Sequence, residues 1–181
     1  MSDNLNTSIP ENYSDMNTLK NNNFPNISLP NQDGNLLNLD RLDTFRMVLY
    51  FYPMTGRPDK PLPDNWNNIP GAKGCTIQTC LFRDSYDEII SLNAVPIGIS
   101  SQSVDDNKEM TNRLKIPYDI LSDEKLELSG ELNIPTFSVE SKIFLKRITL
   151  IVEKKIIKKV FYPINDINKH IEEVLKWLKE N

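Results

Sequence analysis

The chain has 181 residues, 39% of them hydrophobic, with a net charge of −4 and a pI of about 5.1. That is enough apolar material for one domain with a short tail, and the acidic balance gives no basis for binding nucleic acid or an anionic membrane. No apolar run approaches the roughly 20 residues a bilayer span needs, and the opening MSDNLNTSIPENYSD lacks the basic start and apolar stretch of a secretory signal, so a cytoplasmic, reducing setting is expected.

Residues 1–23 are rich in Asn, Ser and Asp and carry no apolar period, which predicts a flexible N-terminal extension. The domain is expected over 24–181. FPNISLPNQDGNLLNL alternates apolar and polar residues around Asp33-Gly34, a hairpin signal. MVLYFY (47–52) is a continuous apolar run ended by Pro53, the pattern of a strand buried on both faces. The segment 54–74 contains Pro58, Pro61, Pro63, Pro70, Gly56, Gly71 and Gly74, so no helix or strand should run through it. Loops of this length are commonly functional.

A helix is predicted from about Cys75, with Ile77, Leu81, Phe82, Tyr86, Ile89 and Ile90 near one stripe. VPIGIS (95–100) reads as a second buried strand. SVDDNKEMTNRL (103–114) reads as a helix with an acidic first turn. IPYDILS contains a short strand, and 123–133 a short helix. Residues 142–152 and 155–161 read as the two strands of a hairpin. Residues 165–180 read as an amphipathic helix striped by Ile167, Ile171, Val174, Leu175 and Leu178 and started by Asp166. Strands alternating with helices, then a hairpin and a helix, indicate an α/β domain with a mixed central sheet.

Both cysteines lie in GCTIQTCLFRD (74–84). Four readings are open: packing residues, a structural disulfide, a metal clip and a reactive pair. A structural zinc site needs four ligands, and the chain adds one histidine, His170, which sits among charged residues and reads as a solvated side chain. Packing remains open, because free cysteine behaves as a small hydrophobe. The reactive reading rests on position. The segment before Cys75 cannot be helical and the segment after it can, which sets Cys75 at a helix N-terminus, where unpaired N–H groups and the helix dipole stabilise a thiolate; Lys73 adds a nearby charge. Residues five apart on an intact α-helix lie roughly 8–9 Å apart at Cα, beyond the roughly 7 Å limit for a disulfide. Joining Cys75 to Cys80 therefore requires local unwinding, which suits a switch better than a staple.

GCTIQTCLFRD resembles the active-site segment of the peroxiredoxins, specifically the peroxiredoxin Q or bacterioferritin-comigratory-protein branch, whose members read F-Y-P, a loop, then G-C-T-x-[EQ]-x-C-x-[FL]-R-D. Here the first part is Phe51-Tyr52-Pro53 and the second Gly74 to Asp84. Val95 to Ser100, Ile120-Leu121-Ser122-Asp123 and Lys146 to Val152 resemble further family segments in family order, so the resemblance covers about residues 24–180. It implies a thioredoxin-like fold, a mixed sheet flanked by helices with an N-terminal β-hairpin, and a thiol peroxidase without metal or organic cofactor. Cys75 would be the peroxidatic cysteine, Cys80 the resolving cysteine closing an intramolecular disulfide, and Arg147 the arginine beside the sulfur. The implied partners are a peroxide substrate and a thioredoxin- or glutaredoxin-type reductant, with the protein a monomer or weak homodimer. Ile134-Pro135-Thr136 resembles the cis-proline loop of thioredoxin-like folds, with an ordinary trans turn as the alternative.

One departure stands out. The family pattern P-x-x-x-T-x-x-C places a threonine three residues before the first cysteine, where this chain has Ala72, and about 15 extra residues separate Pro53 from Cys75. Thr55 is the candidate replacement hydroxyl. The insertion, with Trp66, is read as a pocket cover or a packed surface loop. Gln78 falls inside the motif with no role assigned beyond its helix position.

Overall fold

In the computed structural model, residues 16–42 and 44–181 are described. Nine strands, five α-helices and three short 3-10 turns occur among them. The centre is a five-stranded sheet. Strands β3 (Arg46–Phe51), β4 (Ala94–Ser100) and β5 (Ile120–Ser122) run parallel. Strands β8 (Ile148–Glu153) and β9 (Ile156–Phe161) complete it antiparallel, giving the order β5-β4-β3-β8-β9.

Every residue of β3 is buried, and the period of two explains why an unbroken apolar run is needed. Met47, Leu49 and Phe51 enter one core with Leu29, Leu128 and Leu145. Val48, Tyr50 and Tyr52 enter the other with Cys75, Phe82, Ile89, Met110 and Val174. The second core is roofed by α1 (Cys75–Asp84), α2 (Tyr86–Ser91), α3 (Val104–Leu114) and α5 (Ile167–Glu180). Helix α4 (Glu127–Glu131) covers the first core. It is started by Asp123, whose carboxylate accepts from the N–H groups of Leu128 (3.2 Å) and Ser129 (2.8 Å). Asp166 caps α5 as expected, accepting from Asn168 and Lys169. The expected hairpin forms from β1 (Ser28–Pro30) and β2 (Leu36–Asn38). No helix among the described residues is long and apolar enough to cross a membrane.

Three expectations are corrected. Residues 16–23 do not belong to a flexible extension, whose remaining residues, 1–15, lie outside the described part. Met16 and Leu19 are buried in a 3-10 turn (Met16–Leu19). The N–H of Asn21 donates to Ile157 O (2.7 Å) and that of Ile157 to Asn22 O (3.0 Å), so the segment covers the outer edge of β9. Two apolar residues at i, i+3 suffice for this, and the polar average concealed them.

The strand expected over 142–152 is two strands. β7 (Lys142–Leu145) pairs with β6 (Thr136–Val139) in a separate hairpin, and the chain breaks at Lys146-Arg147 before β8. The β6–β7 turn places Glu140 and Ser141 at positive φ, where asparagine or aspartate followed by glycine is the usual pair. The stripe on α1 and α2 is also broken. Phe82 and Ile89 are buried, but Ile77 and Ile90 are exposed: Ile77 lies about 140° around α1 from Phe82, Ile90 about 100° around α2 from Ile89, and the chain ends one helix at Asp84 and starts the next after Ser85. Of the two readings left open for Ile134–Pro135, the trans turn is the one found; the cis peptide among the described residues is Tyr162–Pro163.

Candidate active site

Helix α1 starts at Cys75, a residue only 2% exposed. Gly74 precedes it at φ +91°, and a Cβ there would collide with Ile167 Cδ1 of α5. The left-handed turn and the close approach of α5 both require glycine at this position. In its protonated form the sulfur donates to Ala72 O at 3.6 Å.

Arg147 lies at the break before β8 and is buried. Its guanidinium donates to Cys75 Sγ (3.3 Å), Lys73 O (2.9 Å), Gly71 O (3.2 Å) and Gln78 Oε1. A planar fork with five N–H donors suits this many acceptors, and a lysine could not reproduce it. The guanidinium brings a fixed positive charge to within 3.3 Å of a sulfur at the first residue of a helix. Lys73 contributes its carbonyl, while its side chain is exposed.

Cys80 is a half-buried free thiol on the next turn of the same intact helix, and Cys75 is free as well. The residue between the turns is anchored firmly. Tyr118 Oη donates to Thr79 O (3.0 Å), and Tyr50 Oη lies 3.0 Å from Tyr118 Oη and 3.4 Å from Thr79 Oγ1. The rings of Tyr50 and Phe82 stack at 4.3 Å. Burial pushes the phenols of Tyr50 and Tyr118 well above their ordinary range, so both stay neutral. Gly98 leaves the space for Tyr50: a Cβ there would lie 2.7 Å from Tyr50 Oη.

Cys75 and Arg147 are thus brought together, with Cys80 one helical turn away. Thr55 is not a partner of the sulfur. It is buried, its hydroxyl and N–H donate to Gln102 Oε1 (3.1 and 2.9 Å), and Gln102 Nε2 donates back to Thr55 O. This pair fixes the start of the insertion. Arg57 reaches Asp105 and Asp106 at the start of α3. Further along, Trp66 is buried with its ring 4.9 Å from that of Phe144. The insertion is therefore a packed strap, and its last residues supply the carbonyls of Gly71, Ala72 and Lys73 to the site.

His170 is not a solvated side chain. It is 2% exposed, with Nε2 2.9 Å from Thr149 Oγ1 and its ring against Phe82 and Phe161. Burial, with a smaller contribution from the Arg147 charge, pushes its pKa down to about 4. Its charged sequence neighbours misled; the spacing from Ile167 and to Val174 places it on the inner face. Gln78 was the other omission. It lies three residues after Cys75, hence on the same helix face, and that spacing was the available signal. Among the described residues no group of three or more His, Cys, Asp or Glu side chains is placed to hold a metal.

A buried cysteine at a helix start, held by a guanidinium on a mixed five-stranded sheet flanked by helices, defines the class of site. Comparison with known proteins gives the family. The Redoxin family profile matches residues 19–175. The chain is 30% identical to "Peroxiredoxin Q, chloroplastic" of Sedum lineare, over 86% of this chain and 75% of that protein. It is 31% identical to the Arabidopsis thaliana protein of the same description, over 86% of this chain and 64% of that one. The chain spans 65% of the Populus jackii relative, to which it is 30% identical over 86% of its own length. Solved structures agree in fold: peroxidoxin BcpB of Mycobacterium tuberculosis superposes with TM-score 0.74 at 22% identity, covering 89% of this chain and 96% of that one. A cysteine-to-serine mutant of PrxQ from Xylella fastidiosa gives 0.72 at 20% identity, covering 89% and 95%. The chain belongs to the redoxin family, in its peroxiredoxin Q or bacterioferritin-comigratory-protein branch.

Proposed function

We propose that the protein is a thiol peroxidase that uses Cys75, Cys80 and Arg147. The observation that carries this is the 3.3 Å contact between Arg147 Nη2 and Cys75 Sγ at the first residue of α1. The Cys75 thiolate attacks one oxygen of a hydroperoxide. An S–O bond forms and the O–O bond breaks, so sulfur is oxidised to sulfenic acid. The other oxygen leaves as hydroxide or alkoxide and takes a proton from solvent. Once α1 has unwound, the Cys80 thiolate attacks the sulfenic sulfur: an S–S bond forms, the S–O bond breaks, and the expelled hydroxide takes a proton from solvent to leave as water. A dithiol protein of the thioredoxin or glutaredoxin kind reduces that disulfide by exchange. Such a cycle needs a reducing compartment, which we take to be the cytoplasm, with the protein acting as a monomer or weak homodimer.

The test is hydrogen peroxide consumption coupled to a thioredoxin system. Wild type should turn over and Cys75→Ser should not; retained activity in Cys75→Ser refutes the assignment. Cys80→Ser should reduce one equivalent of peroxide and then stall with thioredoxin. Ala72, which brings no hydroxyl to the sulfur, favours one alternative, a thioredoxin-like binding domain without turnover. A second alternative is a thiol–disulfide oxidoreductase that uses the same pair without meeting peroxide; a peroxide rate constant no greater than that of free cysteine would refute the peroxidase and leave these two.

A further inference from the structure

Gln78 is 1% exposed, and its Oε1 accepts from Arg147 Nη1. A guanidinium can only donate, so the amide orientation is set: oxygen toward Arg147, nitrogen away from it. That nitrogen, Nε2, is buried and has no hydrogen-bond partner. An orphaned buried donor is uncommon and calls for an explanation. Here it belongs to the side chain that holds one arm of the guanidinium whose other arm touches the sulfur. Partnered by no protein group, it is free to donate to a molecule bound beside it.

The same site lacks a hydroxyl. Ala72 stands three residues before Cys75, and Thr55 is committed to Gln102. We infer that Gln78 is a catalytic residue whose Nε2–H donates a hydrogen bond to the leaving oxygen of the peroxide, a role that rests on the peroxidase reading above. As Sγ forms its bond to the near oxygen and the O–O bond breaks, the electron pair of that bond passes to the far oxygen. Arg147 Nη2 faces the sulfur and the oxygen under attack; the amide meets the oxygen that becomes hydroxide or alkoxide. The amide keeps its proton, and the leaving oxygen is protonated by solvent. A donor already in place for that developing charge needs no reorganisation during the reaction.

The experiment compares wild type, Gln78→Glu and Gln78→Met by stopped-flow measurement of two second-order rate constants, one with hydrogen peroxide and one with iodoacetamide. Alkylation reports the thiolate but involves no O–O bond, so the ratio of the two constants is the readout. Gln78→Glu keeps an acceptor for Arg147 and removes the donor; Gln78→Met removes both without adding charge. The ratio should fall roughly 10- to 100-fold in both variants, as for loss of one donor to a developing oxyanion. A ratio within about threefold of wild type, including the case in which both constants fall in parallel, overturns the inference and leaves Gln78 acting only through Arg147. If Gln78→Met fails to fold by circular dichroism, Gln78→Glu decides alone. Wild type that does not outpace free cysteine with peroxide overturns the peroxidase reading itself, a result distinct from an unchanged ratio.

Discussion

Gly74→Ala is the perturbation whose cost can be worked most directly. Two effects add. At φ +91° an L-residue carries the left-handed penalty of roughly 1–2 kcal/mol. The new Cβ would also overlap Ile167 Cδ1. That atom ends a side chain and can swing aside for about 0.5–1.5 kcal/mol of rotamer strain. The sum is on the order of 2–3 kcal/mol, with the backbone the larger share. Urea unfolding of wild type, Gly74→Ala, Ile167→Ala and the double variant separates the two. Truncating Ile167 abolishes the clash but not the backbone strain, so the double variant should be more stable than additivity by about 0.5–1.5 kcal/mol. Strict additivity would refute the claim that α5 bears on Gly74, and a Gly74→Ala cost below about 0.5 kcal/mol would refute the backbone argument.

Two further outcomes follow from the same packing. His170 titrates near its ordinary 6.5 when unfolded and at about 4 when folded, so between these values the unfolded state binds the extra proton. Its contribution is complete above about pH 6.5 and is lost as pH falls through 4, up to about 3 kcal/mol; the pH 7.5 to 4.5 loss in urea midpoint should shrink in His170→Gln, and an unchanged slope would contradict the buried neutral ring. Tyr118→Phe removes the hydroxyl that donates to Thr79 O. Losing about 1–1.5 kcal/mol of that anchor should speed Cys75–Cys80 disulfide formation after peroxide addition roughly 5- to 10-fold; quenched-flow thiol trapping that shows no acceleration would mean the helix unwinds without releasing Thr79.

What could be read from residues alone was whatever local rules control. The run 47–52 announced a strand buried on both faces, and proline followed by a helical stripe fixed the start of α1 at Cys75. Arg147 came from the resemblance, since no local pattern links residue 147 to residue 75. The misses have a common cause, dependence on long-range contact. The divided strand at 146–147 reflects a second small sheet made with residues 136–139. His170 was judged by neighbours in sequence when its neighbours in space are Phe82, Thr149 and Phe161. The Thr55–Gln102 pair joins the strap to the loop after β4, and nothing near Thr55 in sequence marks that partner.

The packing of Ile167 over Gly74 also sets an order of events at the ribosome. The segment with both sulfurs emerges long before the helix that closes over it, and the delay depends on elongation speed. Until α5 has been made, the first turn of α1 has no cover and the two thiols are free to approach one another. A nascent chain meeting an oxidant in that interval can become cross-linked at Cys75 and Cys80 before α1 has formed, and the late arrival of α5 sets how long that exposure lasts.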